Sequence, residues 1–161
     1  MLSDPNVSVG KDSKRQPTVD IAYLSFLPKK FQVMFGVFCA MQVKDVWENN
    51  KDSVEAMNAV EGWLDGKVNE AECERVGYIV RGSCLRAPST SRLFGAYVPS
   101  YIAFSVSRHT EHILATVCWD IANDKLIDED EAKMRCVAQW NYYNELLHFD
   151  DIAERALLGE G

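Results

Sequence analysis

Residues 99–123 read PSYIAFSVSRHTEHILATVCWDIAN and carry the clearest helical pattern in the chain. Pro99 suits the first turn of a helix, because the N–H that proline lacks has no intrahelical acceptor at that position. Apolar residues then recur every three or four positions, which is the spacing of one helix face. They are Ala103, Val106, Ile113, Val117 and Ile121. This stretch predicts one long helix over about residues 100–123.

A second apolar stretch precedes it and predicts the central helix of the fold. After Pro28, apolar side chains cover most of the circumference of a helix that runs to about Asn49. A helix that is apolar nearly all round is a buried one. The short run IAYLSFL over residues 21–27 has no second strand candidate to pair with, so we expect a docking segment or a short helix there.

Three later helices are marked by capping signals, in which an Asp or Asn is followed three residues later by Glu. The pairs are Asp52 and Glu55, Asn69 and Glu72, and Asp128 and Glu131. The first two helices are expected to end at Gly66 and Gly82, and a short last helix spans about residues 151–158. Since no segment alternates as a strand does, the sequence predicts an all-α, single-domain bundle of about six to seven helices over residues 21–161. A flexible N-terminal arm is expected over residues 1–20.

Charge and length narrow the class of protein. The chain has 161 residues, which suits one domain. Its 17 basic residues against 24 acidic ones leave a net charge of -7, which disfavours direct contact with nucleic acid or an anionic membrane and suits a basic partner. No apolar stretch is long enough to span a bilayer, and the chain lacks the start of a signal peptide, so the expected compartment is the cytoplasm.

The five cysteines are widely spaced and form no CxxC pair, so they indicate neither a zinc knuckle nor a redox motif. We interpret them as small buried hydrophobic residues in a reducing compartment. Cys84, which falls in an irregular stretch, is the candidate for an exposed thiol.

His109 and His112 are the candidates for chemistry. Three residues apart, they are expected to share one face of the long helix, where they could hold one metal ion or pass a proton. Zinc usually takes three or four protein ligands, however, and this helix supplies no close third. No GxSxG, P-loop or GxGxxG motif is present, so the sequence predicts no enzyme, no catalytic residue, no resident metal and no cofactor.

Two acidic clusters are candidates for partner binding. The capping role of Asp128 and Glu131 leaves Glu129 and Asp130 exposed, and Asp150 with Asp151 begins the last predicted helix. Such an edge is either a solvated face or a docking surface, where complementary charge raises the association rate. The predicted partner-binding residues are Asp128, Glu129, Asp130, Glu131, Asp150 and Asp151.

Two blocks of the sequence resemble the Imm-5-like family of immunity proteins. The first block comprises Cys39-Ala40, Val43, Trp47, Ser53-Val54-Glu55-Ala56, Trp63-Leu64 and Gly66-Lys67. The second comprises Ala103, Val106, His109, His112, Ala115 and Ala122, so that the likeness covers about residues 38–123. The resemblance is that of a diverged member, consistent with a phage or mobile-element protein, and it implies an all-helical protein that binds and neutralises a toxin without catalysis. The family-motif residues carried over are Glu55, Trp63, Gly66, His109 and His112.

Together these features predict a non-enzymatic, acidic helical protein that inhibits a protein partner with a basic face. A toxin or a nucleic-acid-acting effector fits that description. Two alternatives stay open at this point. One is a metal-binding protein or enzyme that uses His109 and His112, and the other is a structural protein that self-associates through apolar helices. The oligomeric state is left open.

Overall fold

The computed structural model describes the chain over residues 15–85 and 93–157, and its side chains over residues 15–83 and 97–149. Within these ranges the chain forms eight helices and no strand. They are α1 (Ile21–Leu24), α2 (Lys29–Met41), α3 (Lys44–Trp47), α4 (Lys51–Leu64), α5 (Glu70–Leu85), α6 (Leu93–Ser105), α7 (Thr110–Ala122) and α8 (Glu129–Leu157). The all-α, single-domain prediction is confirmed, with more helices than the six to seven expected. The short helix α1 falls where it was expected.

Helix α2 is the centre of the bundle, as its apolar circumference predicted. It packs against α6, α7 and α8, and its Val33, Phe35 and Cys39 side chains are completely buried. The prediction of one helix to about residue 49 is wrong, because the helix stops at Met41 and restarts as α3. The interruption lets the indole of Trp47 turn back and donate to the Ala40 carbonyl at 2.9 Å, which buries the ring.

Two of the three predicted caps are confirmed. The Asn69 side chain accepts from the Glu72 main-chain N–H at 2.9 Å, and Asp128 accepts from the Glu131 N–H at 2.8 Å. These contacts satisfy N–H groups that have no acceptor within the first helical turn.

The third cap lies two residues earlier than the sequence predicted. Asn50, in an extended backbone conformation, accepts from the Ser53 N–H at 3.1 Å, so α4 begins before Asp52. Gly66 follows the end of α4 with φ of 76°, in the left-handed region that favours glycine. Gly82 does not end α5, which continues to Leu85, because a helix tolerates an isolated glycine.

The long helix predicted over residues 100–123 is divided in two. Helix α6 already begins at Leu93, so Pro99 lies inside it, and the chain leaves helical geometry before His109. In a continuous helix the Ser105 carbonyl would accept a hydrogen bond from the His109 N–H. Instead the Thr110 hydroxyl donates to that carbonyl at 2.6 Å, which favours a break between α6 and α7.

At the C-terminal end, two segments that the sequence predicts as separate helices form one continuous helix. Helix α8 runs for 29 residues, so the prediction of a separate last helix from Asp151 is wrong. No glycine or proline interrupts residues 148–151, and the helix spans about 43 Å. Among the described helices, α8 included, none combines the length and the apolar character that crossing a membrane requires.

Residues 15–20 form an extended segment, called the strap below, that lies against α7 and α8. Val19 is completely buried and Gln16 nearly so. At these six positions the predicted flexible arm is instead a docked segment, because its main chain is hydrogen-bonded to both helices. The rest of the predicted arm, residues 1–14, lies outside the described part of the chain.

Candidate functional site

The turn before α8 carries the acidic cluster that the sequence singled out. Asp128 is used as the helix cap, and Glu131 binds Arg135 one turn later, with Oε1 3.3 Å from Nε. Arg135 is only 14% exposed and also donates to the Ile121 carbonyl at 2.8 Å. These contacts tie α8 to the end of α7, so Asp128 and Glu131 have structural partners.

The other two acids of the cluster face solvent, as predicted. Oε1 of Glu129 lies 3.5 Å from Nζ of Lys133 one turn later. Because both side chains are exposed, this ion pair contributes little to stability. Asp130 is exposed and pairs with no other residue of the described ranges. Of the four, Asp130 is therefore the carboxylate most available to a partner.

Large apolar side chains lie beside Asp130 and face solvent. Met134 is 66% exposed and Val137 is 58% exposed. With Asp130 they occupy positions i, i+4 and i+7, which fall on one side of a helix. We call these three residues the α8 outer face. Leu126, in the preceding turn, is 53% exposed and adds a fourth large side chain near this end of α8.

Sequence reasoning did not identify this apolar surface, because Met134 and Val137 are two among many apolar residues in this segment and nothing in the sequence at these two positions marks them as exposed. The residues of α8 that are buried lie on the opposite side of the helix. They are Ala132, Cys136, Gln139, Tyr143 and Leu146. Their own helical spacing is the signal that places Met134 and Val137 outside.

The second predicted acidic cluster is not part of this surface. Asp150 and Asp151 lie within α8, twenty residues beyond Asp130, which is about 30 Å along the helix axis. Their side chains lie outside the described residues. The two clusters therefore do not form one patch.

The histidine pair has a different geometry from the predicted one. His109 does not belong to the helix but precedes it, with φ of 38° and ψ of 47°, whereas His112 lies in the first turn of α7. Both side chains are exposed, and their ring centroids are 6.3 Å apart with perpendicular planes. The prediction that the two histidines share a helix face is wrong, yet the turn still brings their rings close together. Arg108 anchors this turn to α5 through Glu74.

The two imidazoles could supply two of the ligands that zinc requires. Within residues 15–85 and 93–157, no group of three or more His, Cys, Asp or Glu side chains is placed to hold a metal ion. The arrangement offers two neighbouring, solvent-accessible imidazoles and no third ligand from the described residues.

The remaining family-motif residues lie around α4 and have structural contacts. Glu55 is exposed and lies 3.8 Å from the guanidinium of Arg75 on α5. Trp63 is half-buried, with the Lys29 ammonium 5.8 Å from its ring centroid. Gly66 forms the turn after α4. None of these three contacts brings its residue to the α8 outer face.

Four of the cysteines are free and buried, which confirms their interpretation as core residues. Burial raises the pKa of Cys118 to about 12 and, with a smaller contribution from Glu72, that of Cys73 to about 11. Burial also raises the pKa of Cys39 well above its ordinary value. These thiols are protonated at neutral pH and are poor nucleophiles. The side chain of Cys84 lies outside the described residues.

No family model, no curated protein and no solved structure matches this chain. The resemblance to the Imm-5-like family stays a prediction.

Proposed function

We propose that the chain is a non-enzymatic binding protein that inhibits a protein partner with a basic face, in the manner of an immunity or anti-defence protein. The observation that carries the proposal is the α8 outer face, where Asp130 adjoins the exposed Met134 and Val137. Protein interfaces combine a few large anchors with a polar rim that fixes orientation. Met134 and Val137 are the anchors, and the acids around them form the rim.

The charge near this face supports a basic partner. Residues 120–131 contain six carboxylates and one lysine, and Glu129 and Asp130 are exposed at their end. A cluster of one sign steers an oppositely charged protein toward the surface and raises the association rate at low salt. A toxin or effector that acts on nucleic acid is such a partner, because nucleic acid is a polyanion. The resemblance to immunity proteins supports the same class of function, with the complex formed in the cytoplasm.

Affinity capture with three versions of the chain tests the proposal. The versions are the wild type, an outer-face variant carrying Asp130→Lys and Met134→Asp, and a control carrying Glu61→Lys on an exposed position of α4. One basic protein is expected at a stoichiometric level on the wild type and on the control, released by high salt and lost from the outer-face variant. Equal recovery on all three, or no protein at all on the wild type, contradicts the proposal.

A second candidate is metal binding at His109 and His112, favoured by their adjacent rings and by the unusual backbone of His109. Left-handed backbone at a residue other than glycine is found disproportionately at functional sites. Zinc titration by calorimetry tests it, with His109→Gly and His112→Ala as comparisons. Stoichiometric binding that both substitutions abolish supports the candidate, and binding that either variant retains eliminates it.

Self-association is the remaining alternative, because a second copy could cover Met134 and Val137. Light scattering at several concentrations separates the cases. A concentration-dependent dimer that the outer-face variant cannot form assigns this surface to a second copy instead of a basic partner.

A further inference from the structure

The strap lies along the groove between α7 and α8, and its main-chain groups are hydrogen-bonded to residues on both sides of that groove. The Gln16 N–H donates to Oδ1 of Asn123 at 2.6 Å, and Nδ2 of Asn123 donates back to the Gln16 carbonyl at 3.3 Å. One amide side chain thus satisfies both main-chain groups of one residue. Both hydrogen bonds are made by the main chain of Gln16, whose side chain is itself buried.

Further donors along the groove continue the same pattern. The Pro17 carbonyl accepts from the indole N–H of Trp140 at 2.7 Å and from the thiol of Cys136 at 3.5 Å. The Val19 carbonyl accepts from the thiol of Cys118 at 3.1 Å. The groove therefore presents donors to the main-chain carbonyls of three strap residues, Gln16, Pro17 and Val19.

Two strap side chains add specificity to these main-chain contacts. Val19 is completely buried. The guanidinium of Arg15 lies 5.9 Å from the ring centroid of Trp119, within the range of a cation–π interaction. The strap thus places a cation on an aromatic ring at one end and a β-branched side chain in the core four residues later.

We propose that the groove between α7 and α8 is a binding site for an extended peptide of a protein partner, and that the strap is its resident occupant in the isolated chain. Main-chain hydrogen bonds with pockets for alternate side chains are how proteins recognise extended peptides. The contacts of Arg15 and Val19 define the peptide: an Arg or Lys, then a β-branched aliphatic residue four positions on. This proposal rests on the proposed function, because it names the segment by which a basic partner engages.

Charge favours a partner over a second copy of the chain. Asp120 follows Trp119 directly in α7, so a peptide that brings a cation to the Trp119 ring approaches a carboxylate there. Asp124, just after α7, lies 3.9 Å from the guanidinium of Arg135 and is already paired. A second copy carries a net charge of -7 and is repelled by the first. The strap competes as a tethered ligand with an effective concentration on the order of millimolar. The apparent affinity of any partner peptide is therefore its intrinsic affinity multiplied by the fraction of chains whose groove is open.

The test uses the full chain and a fluorescein-labelled synthetic peptide of residues 13–22, followed by fluorescence anisotropy. Val19→Asp places a carboxylate in the core and is expected to release the strap. The control is Phe26→Asp, which also replaces an apolar side chain by a carboxylate but at a position that is 70% exposed. The Val19→Asp chain is expected to bind the peptide at least about ten-fold more tightly than the wild type or the control.

Two further measurements establish where the peptide binds. Asn123→Ala added to the Val19→Asp chain is expected to weaken peptide binding about ten-fold or more, because two main-chain hydrogen bonds are lost. A labelled peptide with aspartate at the position of Val19 is expected not to bind. Peptide binding that survives both changes overturns the proposal.

A folded Val19→Asp chain, checked by circular dichroism, that binds the peptide no better than the wild type also overturns it. If that variant does not fold, Gln16→Pro replaces it, because proline removes the N–H that donates to Asn123. If light scattering shows a dimer in which the straps are exchanged, and the peptide does not bind, the occupant of the groove is a second copy of the chain and not a partner. The outer-face variant with Asp130→Lys and Met134→Asp leaves the groove unchanged. Loss of partner capture by that variant tests the outer face, and peptide anisotropy tests the groove, so the two proposals fail separately.

Discussion

Gly36 lies directly against the side chain of Leu114. A Cβ at this glycine would overlap a Leu114 methyl group and come within 3.1 Å of Cδ1 of Ile102. The central helix α2 therefore approaches both α6 and α7 at a point where only a hydrogen atom fits. This close approach holds together the helices that precede and follow the turn at His109.

Gly36→Ala is expected to lower the free energy of unfolding by about 1–3 kcal/mol, the usual cost of overpacking a core. Alanine is the better helix former by about 1 kcal/mol, so any net loss reports the collision. Gly82→Ala is the matched control, because nothing lies within 4 Å of a Cβ there, and it is expected to be stabilising. Urea denaturation of both variants measures the difference, and equal shifts of one sign would contradict it.

The left-handed backbone of His109 is expected to store strain that glycine relieves. Such a conformation costs an L-residue about 1–2 kcal/mol, and glycine gives back part of the gain through its greater loss of entropy on folding. His109→Gly should therefore raise the free energy of unfolding by about 0.5–1 kcal/mol, whereas His109→Val should lower it. Chemical denaturation tests both, and a His109→Gly chain less stable than the wild type argues that the imidazole itself stabilises the turn.

The buried thiols are expected to resist modification in the folded protein. Because burial raises the pKa of Cys118 to about 12 and that of Cys73 to about 11, very little thiolate forms at pH 8. In a Cys84→Ser chain, a thiol reagent should react with the four buried cysteines only after guanidinium is added. Rapid reaction of any of them in the native protein would show that the core opens locally.

Asp120 is expected to make stability fall as pH rises through the acid range. Burial raises the pKa of this carboxyl above its ordinary value, so the folded chain holds the proton more tightly than the unfolded chain. The stabilising effect is complete below the ordinary pKa and is lost as pH rises through the raised one. Asp120→Asn should therefore be stabilising at about pH 7 and nearly neutral at about pH 3. Glu61→Gln, at an exposed site, is the control, and the same gain at both pH values would be evidence against the mechanism.

Sequence reasoning was most successful where structure depends on neighbouring residues. The caps at Asn69 and Asp128 are local signals, and both are used in the fold. The break between α6 and α7 was missed, because an apolar stripe continues across it while a single hydroxyl, that of Thr110, takes the carbonyl that the helix needs. Helical spacing shows which residues would share a face of a helix, but it does not show where a short turn interrupts the helix.

The candidate site was predicted in part for the same reason. Asp130 could be identified from the run of acids once the capping residues were set aside. The exposure of Met134 and Val137 could not, because an apolar residue signals burial until the opposite face of the helix is known to be covered. No local sequence pattern could predict the docking of the strap, since Gln16 and Asn123 are 107 residues apart in the chain.

That separation has a consequence for the order in which the molecule is assembled. Trp140, which binds the Pro17 carbonyl, lies 123 residues further along the chain. During synthesis the strap leaves the ribosome long before either wall of its groove exists, and it must wait until α7 and the first part of α8, as far as Trp140, have followed. Closing so long a loop is also slower than forming contacts between neighbouring helices. The segment that is made early is thus docked late, and its docking reports that α7 and the first half of α8 are in place.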